Sequence, residues 1–240
     1  MEVVRLHHGS SVAVSQPRYG RCRPHNDYGQ GFYCTRSIEL AREWACQQGR
    51  DGFVSLFDLD MGGLSLVDLN SEEYCILHWL AVLLEHRLCR LFTPTMQQGA
   101  IWLERRYSVD LSHADVVKGY RADDSYFGFA RAFLRNEITL DQLTRAMRLG
   151  ELGEQYMVKS PEAFGVLRFA GSVPVDGSEH WSKRATRDEA ARTAFREIVL
   201  QDVGGPVSVS DDLGTGADMR PLYISTLMSM SEREIRACLQ

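Results

Sequence analysis

The chain has 240 residues, is 44% hydrophobic and 25% charged, and carries a formal net charge of −5. That length and composition suit one globular domain, or one domain with an appendage, with a substantial buried core. The acidic balance excludes a protein that grips nucleic acid with its whole surface, while a local basic patch stays compatible with it.

The basic residues are 24 arginines and three lysines (Lys118, Lys159, Lys183). Such a bias fits phosphate recognition or, more simply, a GC-rich genome. Six cysteines (Cys22, Cys34, Cys46, Cys75, Cys89, Cys238) form no C-x-x-C pair and no cysteine–histidine group at zinc spacing. They read as reduced thiols, with no metal expected. No secretory leader opens the chain, so a cytoplasmic location is expected. The longest apolar stretch, Ile76 to Phe92, carries His78, Glu85, His86, Arg87 and Arg90. Those groups are costly in lipid, so it reads as a core helix and no membrane partner is expected.

In chain order, "EVVRLHHGSSVAV" reads as a strand, followed by a basic Pro/Gly/Arg loop, "SQPRYGRCRPHNDYGQG". "TRSIELAREWACQQG" is an amphipathic helix capped by Thr35 or Ser37 and stopped at Gly49. "FVSLFDLD" and "LSLVDL" are strand-like runs around Gly62-Gly63. After the core helix come a strand at "ADVVKGY" and a helix at "DDSYFGFARAFLRNE", buried through Tyr126, Phe127, Phe129 and Phe133. "ITLDQLTRAMRLG" has a capping box from Thr139 to Gln142 and a terminal Gly150. "EQYMVKS" and "GVLRFAGSV" are two further strands. Beyond residue 176 a helix opens at Thr186 and Glu189 and ends at Gly204-Gly205. Ser231 with Glu234 then caps a last short helix.

Two short stretches carry the chemistry, "LHHGSS" (Leu6–Ser11) and "YGQGFYCT" (Tyr28–Thr35). Strand neighbours alternate faces, so only one of His7 and His8 can face a pocket. "GQGFYC" lacks the third glycine of a dinucleotide fingerprint, so a Rossmann fold is not supported.

Together, "LHHGS" and "YGQGFYCTRSIELAREW" resemble the ADP-ribosyltransferase fold of the diphtheria-toxin and poly(ADP-ribose) polymerase branch. The resemblance implies an α+β fold with split, mixed β-sheets around a cleft that binds NAD, and flanking helices. It implies a His-Tyr-Glu set whose first two members are His8 and Tyr33. His8 and Ser10 would bind the adenosine ribose, and the Gly9 backbone the carboxamide. Tyr33, reached through Gly31 of the G-x-G, and Trp44 would sandwich the nicotinamide. The third position departs from the pattern: "QYMV" places Gln155 where the family has a glutamate, keeping a hydrogen bond and losing a charge. Glu154 faces the other way.

The order of motifs, down to "DVVKGYRADD" and the late "QY", is closer still to a bacterial family of unknown function. Its members share this fold and are often encoded beside small antitoxin-like genes. That likeness covers about residues 3–170. With the change of texture near residue 176, a transferase domain over residues 1–176 is expected, and a helical extension over 177–240, which the likeness does not cover, is expected to pack on it. The implied activity is mono-ADP-ribosyl transfer from NAD to a protein or nucleic-acid acceptor, as the toxin of a toxin–antitoxin or phage-defence pair. Partners would be NAD, the acceptor and an antitoxin. The alternatives are a non-catalytic NAD- or ADP-ribose-binding module, or an NAD glycohydrolase.

Arg18, Arg21 and Arg23 face either the NAD pyrophosphate or plain solvent. Asp123 and Asp124 cap a helix or serve the site. Asp27 either fixes its loop or replaces the missing charge. His78, Trp79 and His86 read as core and surface residues.

Overall fold

A computed structural model describes residues 2–87, 90–122, 124–147, 149, 153–204 and 221–239. The α+β class expected from the sequence is observed, but the strands do not separate into two sheets. β1 (Val3–Ser10), β2 (Phe32–Thr35), β3 (Gly52–Asp60), β4 (Leu66–Asp68), β5 (Val116–Tyr120), β6 (Glu154–Val158) and β7 (Leu167–Val175) form one sheet. Its order is β4-β5-β6-β2-β1-β3-β7. Only β4 and β5 run parallel; the other neighbours are antiparallel.

The single sheet has a seam. β1 and β3 pair along their length, from Val3↔Asp60 to Ser10↔Phe53. β2 and β6 pair from Phe32↔Val158 to Thr35↔Gln155. Between these halves β1 and β2 are in register only at His7↔Thr35. Beyond that point the two strands splay.

Alternation sorts the strand residues onto two faces. Leu6, Phe32, Phe57, Tyr156 and Val158 build a core on one face, closed by Ala163 of α6 (Pro161–Val166). The larger core lies on the other face. There α2 (Ile76–His86), α3 (Pro94–Tyr107), α4 (Asp124–Leu134) and α5 (Leu140–Ala146) bury Trp79, Leu83, Leu103, Phe133 and Leu143. α1 (Ile38–Ala45) lays Ala41 and Ala45 on Val54 and Val175.

Caps follow local chemistry. Ser37, not Thr35, caps α1 by accepting from Leu40 N at 3.3 Å. Thr139 and Gln142 form the expected box, and Gly150 lies outside the described residues. His78 has a definite local role: its Nδ1 accepts from Cys75 N at 3.0 Å and caps α2. α3, with Thr93 as cap and Pro94 in its first turn, was not expected from the sequence. Thr-Pro ahead of a helix is a readable start signal that the irregular apolar spacing conceals. β3 and β4 do not form a hairpin across Gly62-Gly63, since β4 crosses to the far edge beside β5. At the opposite edge β7 carries a bulge opposite Leu56/Phe57, with Gly171 at φ +136°.

The C-terminal helix is longer than Thr186 suggested. α7 runs Gly177–Gly204, started by Asp176 Oδ1, which accepts from Ser178 N at 2.8 Å and Glu179 N at 3.2 Å. It packs on the rest of the chain through Arg187–Glu43 at 2.5 Å and a Phe129–Phe195 stack at 4.2 Å. α8 (Ile224–Ser229) and α9 (Glu232–Leu239) follow, the latter capped by Ser231 and Glu234 as expected. Among the described residues no helix is long and apolar enough to cross a membrane.

Two glycines give opposite expectations for the same substitution. A Cβ on Gly9 would overlap the Ala41 carbonyl and stand 2.8 Å from Ala45 N, whereas one on Gly128, inside α4, meets nothing within 4 Å. Gly9→Ala should destabilise the fold by at least about 2 kcal/mol. Gly128→Ala should stabilise it by about 0.5–1 kcal/mol. Urea unfolding of the two variants tests both signs.

Candidate functional site

Where β1 and β2 splay, residues from both sheet faces reach one open cleft of about 1140 Å³. His8, Gly9, Gly31, Tyr33, Trp44 and Gln155 all line it, and so does Arg18. The structure therefore gathers nearly every residue singled out in the sequence. Ser10 is the exception: its hydroxyl donates to Val12 O at 2.6 Å, and it is not among the lining residues.

His8 is held by the seam. Its ring packs on Phe32 at 4.3 Å, and Nδ1 lies 2.7 Å from Tyr33 O. A carbonyl only accepts, so Nδ1 carries the proton and Nε2 keeps a lone pair. Burial pushes the imidazole below its ordinary range, more strongly than the Tyr33 carbonyl pulls it up. His8 is thus a neutral acceptor on the cleft wall. His7 is absent from that wall, as strand alternation requires.

The glycines serve packing as well as access. The site where Gly9 would carry a Cβ is filled by α1, so glycine is required there whether or not a ligand approaches. Gly29 sits at φ +89°, and a Cβ on Gly31 would strike Met157 of β6. The turn they make presses Tyr33 down. Its hydroxyl donates to Gly29 O at 2.7 Å and accepts from Tyr28 N at 3.0 Å. Burial raises the Tyr33 hydroxyl far above its usual range, so it keeps its proton and acts as an anchor.

Gln155 is buried and faces the same side as Tyr33. Its Nε2 donates to Asp27 Oδ2 at 2.8 Å and to Tyr120 O at 3.2 Å. Both amide hydrogens are thereby occupied, which fixes the amide orientation. Asp27, only 7% exposed, also accepts from Ala122 N at 2.9 Å and pairs with Arg87 at 3.2 Å. Asp27 thus fastens its loop, the first of its two sequence readings, and its carboxylate lies against the Gln155 amide. Glu154 turns to the opposite face and pairs with Lys118 at 2.9 Å.

Trp44 lines the cleft from α1, with the Arg121 guanidinium 4.4 Å over its ring and its Nε1 buried without a hydrogen-bond partner. One face of the indole therefore already carries a cation, so a sandwich with Tyr33 needs Arg121 to move or the other face to be used. Arg87, Arg121, Trp181 and Arg184 also line the cleft and were not anticipated. Arg87 lies just past α2, and the two residues of α7 lie beyond the segment that carried the resemblance. The start signal "DGSE" (Asp176–Glu179), upstream of the start read at Thr186, is the one that could have placed a helix there. Asp123 lies outside the described residues, and Asp124 begins α4. Trp79 is buried and donates Nε1 to Tyr28 Oη at 3.2 Å. The described cysteines Cys22, Cys34, Cys46, Cys75 and Cys238 are free thiols.

A protein family described as protein of unknown function (DUF3990) matches residues 4–169. No curated protein and no solved structure matches the chain.

The neutral His8 gives a pH expectation. Its folded value lies below the ordinary 6.5, so between the two values the unfolded chain binds more protons. Stability then rises with pH through that window and is lost as pH falls below about 6.5. His7, His78 and His86 are shifted the same way by burial. The urea midpoint should fall between about pH 7.5 and about pH 5.5, and fall less in His8→Gln. An identical pH dependence in that variant would mean that His8 is not desolvated.

Proposed function

The chain belongs to the DUF3990 family of proteins of unknown function, and we propose that it is an NAD-dependent mono-ADP-ribosyltransferase acting as the toxin of a bacterial toxin–antitoxin or phage-defence pair. One observation carries this reading. His8, Tyr33 and Gln155, drawn from three strands and singled out by one resemblance, line a single cleft, and the departing member is hydrogen-bonded to a buried carboxylate.

NAD would enter as substrate and supply a ribosyl group whose leaving group is nicotinamide. The residues present suit it. His8 Nε2 can accept from a ribose hydroxyl, and Trp44 has an unsatisfied N–H and an aromatic face. Arg18, Arg21 and Arg23 bring cations to the cleft for the pyrophosphate. Gln155 orients the ribose through its amide oxygen. The Nε2–H donated to Asp27 polarises the amide and makes that oxygen a stronger acceptor. A carboxylate one hydrogen bond away thus supports the positive charge that grows on the ribose. In the transfer, the bond between nicotinamide and the ribosyl carbon breaks and its electron pair leaves with nicotinamide. The acceptor lone pair forms the new bond, and the acceptor proton passes to solvent.

A second reading, an NAD-binding module without turnover, draws on the Asp27–Arg87 pair, in which a guanidinium offsets the carboxylate. Single-turnover release of nicotinamide separates the two. For the transferase, Gln155→Ala should raise the barrier by about 2–4 kcal/mol, and Asp27→Asn should lower the rate without abolishing NAD binding. Gln155→Glu removes both donated hydrogens and sets a second carboxyl against Asp27, so it should lower NAD cleavage as well. Wild-type release no faster than buffer, with lysate acceptors present, leaves the binding module.

Growth provides the cellular counterpart. Expression in bacteria should slow growth, and His8→Ala should relieve it while His7→Ala does not, because only His8 lines the cleft. Harmless wild-type expression in several hosts would remove the toxin reading.

A further inference from the structure

The cleft holds more than a dinucleotide requires. Among the described residues its lining has six arginines (Arg18, Arg21, Arg23, Arg87, Arg121, Arg184) and one acid, Asp27, in a chain whose net charge is −5. Arg87 is matched to Asp27 and Arg121 lies over the Trp44 ring. Arg18, Arg21, Arg23 and Arg184 together exceed what the paired phosphates of a pyrophosphate need. The cleft volume of about 1140 Å³ likewise exceeds the roughly 300–1,000 Å³ typical of one small-molecule ligand.

One wall of the cleft comes from α7. α7 lies outside the family-matched segment, residues 4–169, yet brings Trp181 and Arg184 to the cleft. Trp181 is 38% exposed, and the Arg184 guanidinium lies 5.5 Å from the centre of its ring. Between Trp181 and Trp44 runs the turn Gln47–Gly49, whose Gln48 is held in the left-handed region at φ 56°. A side-chain-bearing residue adopts that conformation at a cost, and such costs concentrate at binding sites. Both Gln47 and Gln48 line the cleft and are exposed.

An indole with an arginine beside it on α7, and two amide side chains between it and the nicotinamide-stacking Trp44, match the alternation of a single-stranded nucleic acid. Bases stack on aromatic faces, phosphates meet guanidinium groups, and amides reach base edges. An acidic peptide would satisfy the arginines but leave the indole faces without a flat partner. We infer that the α7 wall, with Trp181 and Arg184, is the acceptor site, and that the acceptor is a single-stranded nucleic acid. This rests on the transferase reading for the chemistry: a base or ribose lone pair takes the ribosyl carbon, nicotinamide leaves with its electron pair, and the acceptor proton goes to solvent.

The test measures acceptor binding and NAD binding separately. Fluorescent single-stranded RNA and DNA oligonucleotides are titrated with the full chain, without NAD, at several salt concentrations. NAD binding is measured calorimetrically without oligonucleotide. The expected result is salt-dependent binding of at least one oligonucleotide type, the two arms showing whether ribose or deoxyribose is preferred. Trp181→Ala should weaken it roughly tenfold. Arg184→Ala should lower the logarithmic salt slope by about 0.7, the share of one phosphate contact, and Arg184→Lys should restore the slope. NAD binding should be unchanged in all three variants. No binding of either oligonucleotide, or affinities that ignore both α7 changes, overturns the inference, and intact NAD binding in that case leaves the transferase reading standing. Radiolabel from NAD appearing in lysate protein and not in nucleic acid also overturns it.

Discussion

The cleft depends on a sheet that almost comes apart. β1 and β2 are in register at one residue pair, His7↔Thr35. Past it, the Tyr33 carbonyl is met by an imidazole N–H from His8 instead of a neighbouring backbone. A side chain has replaced a rung of the ladder, and the strands can diverge while a buried carbonyl stays satisfied. Because the divergence opens the sheet itself, a residue on either face can line the same cavity. His8 packs with the Phe32 face and Tyr33 with the other, yet both reach the cleft.

Closure of the far side falls to the basic loop before β2. Gln30 Nε2 ties the loop to itself through Cys22 O at 2.8 Å and Gly20 O at 3.1 Å. Asp27 then anchors it to three distant segments, through Ala122 N, Arg87 and Gln155. Tyr28, fully buried, reaches the carbonyl of Tyr120 over Gly119, where any Cβ would collide with its ring. A buried carboxylate with this many donors is stabilised by charge-assisted hydrogen bonds, and removing it would strand a guanidinium and an amide together. The same group therefore secures the loop and sets the electrostatics of Gln155.

How much of this was legible in the sequence depends on the range of the interactions. Alternation separated His7 from His8 and Glu154 from Gln155, because a period of two is a local property. Ser231–Glu234 and Thr139–Gln142 were equally local. The joining of the strands into one sheet was not legible, because it turns on a single long-range pair. Nor was Asp27 assignable, since its partners lie at positions 87, 122 and 155. Gly9 was read for the access its backbone gives to a ligand, and its packing against α1 was not legible. The contribution of α7 to the cleft was missed because the hydrophobic signal of that helix is weak and its contacts with α1 and α4 are polar or single aromatic pairs.

The attachment of α7 also bears on where the fold ends. A fragment cut at residue 169, where the family match stops, would sever β7 after its third residue. β3 would then be bare from Gly52 to Leu56, where β7 now pairs with it. Glu43, 8% exposed, would lose the guanidinium that neutralises it. An open strand edge favours association between copies, and an uncompensated interior charge destabilises the fold. The contacts that complete the β3 edge and neutralise Glu43 therefore lie beyond the segment by which the family is recognised, in the rest of β7 and the first turns of α7 through Arg187.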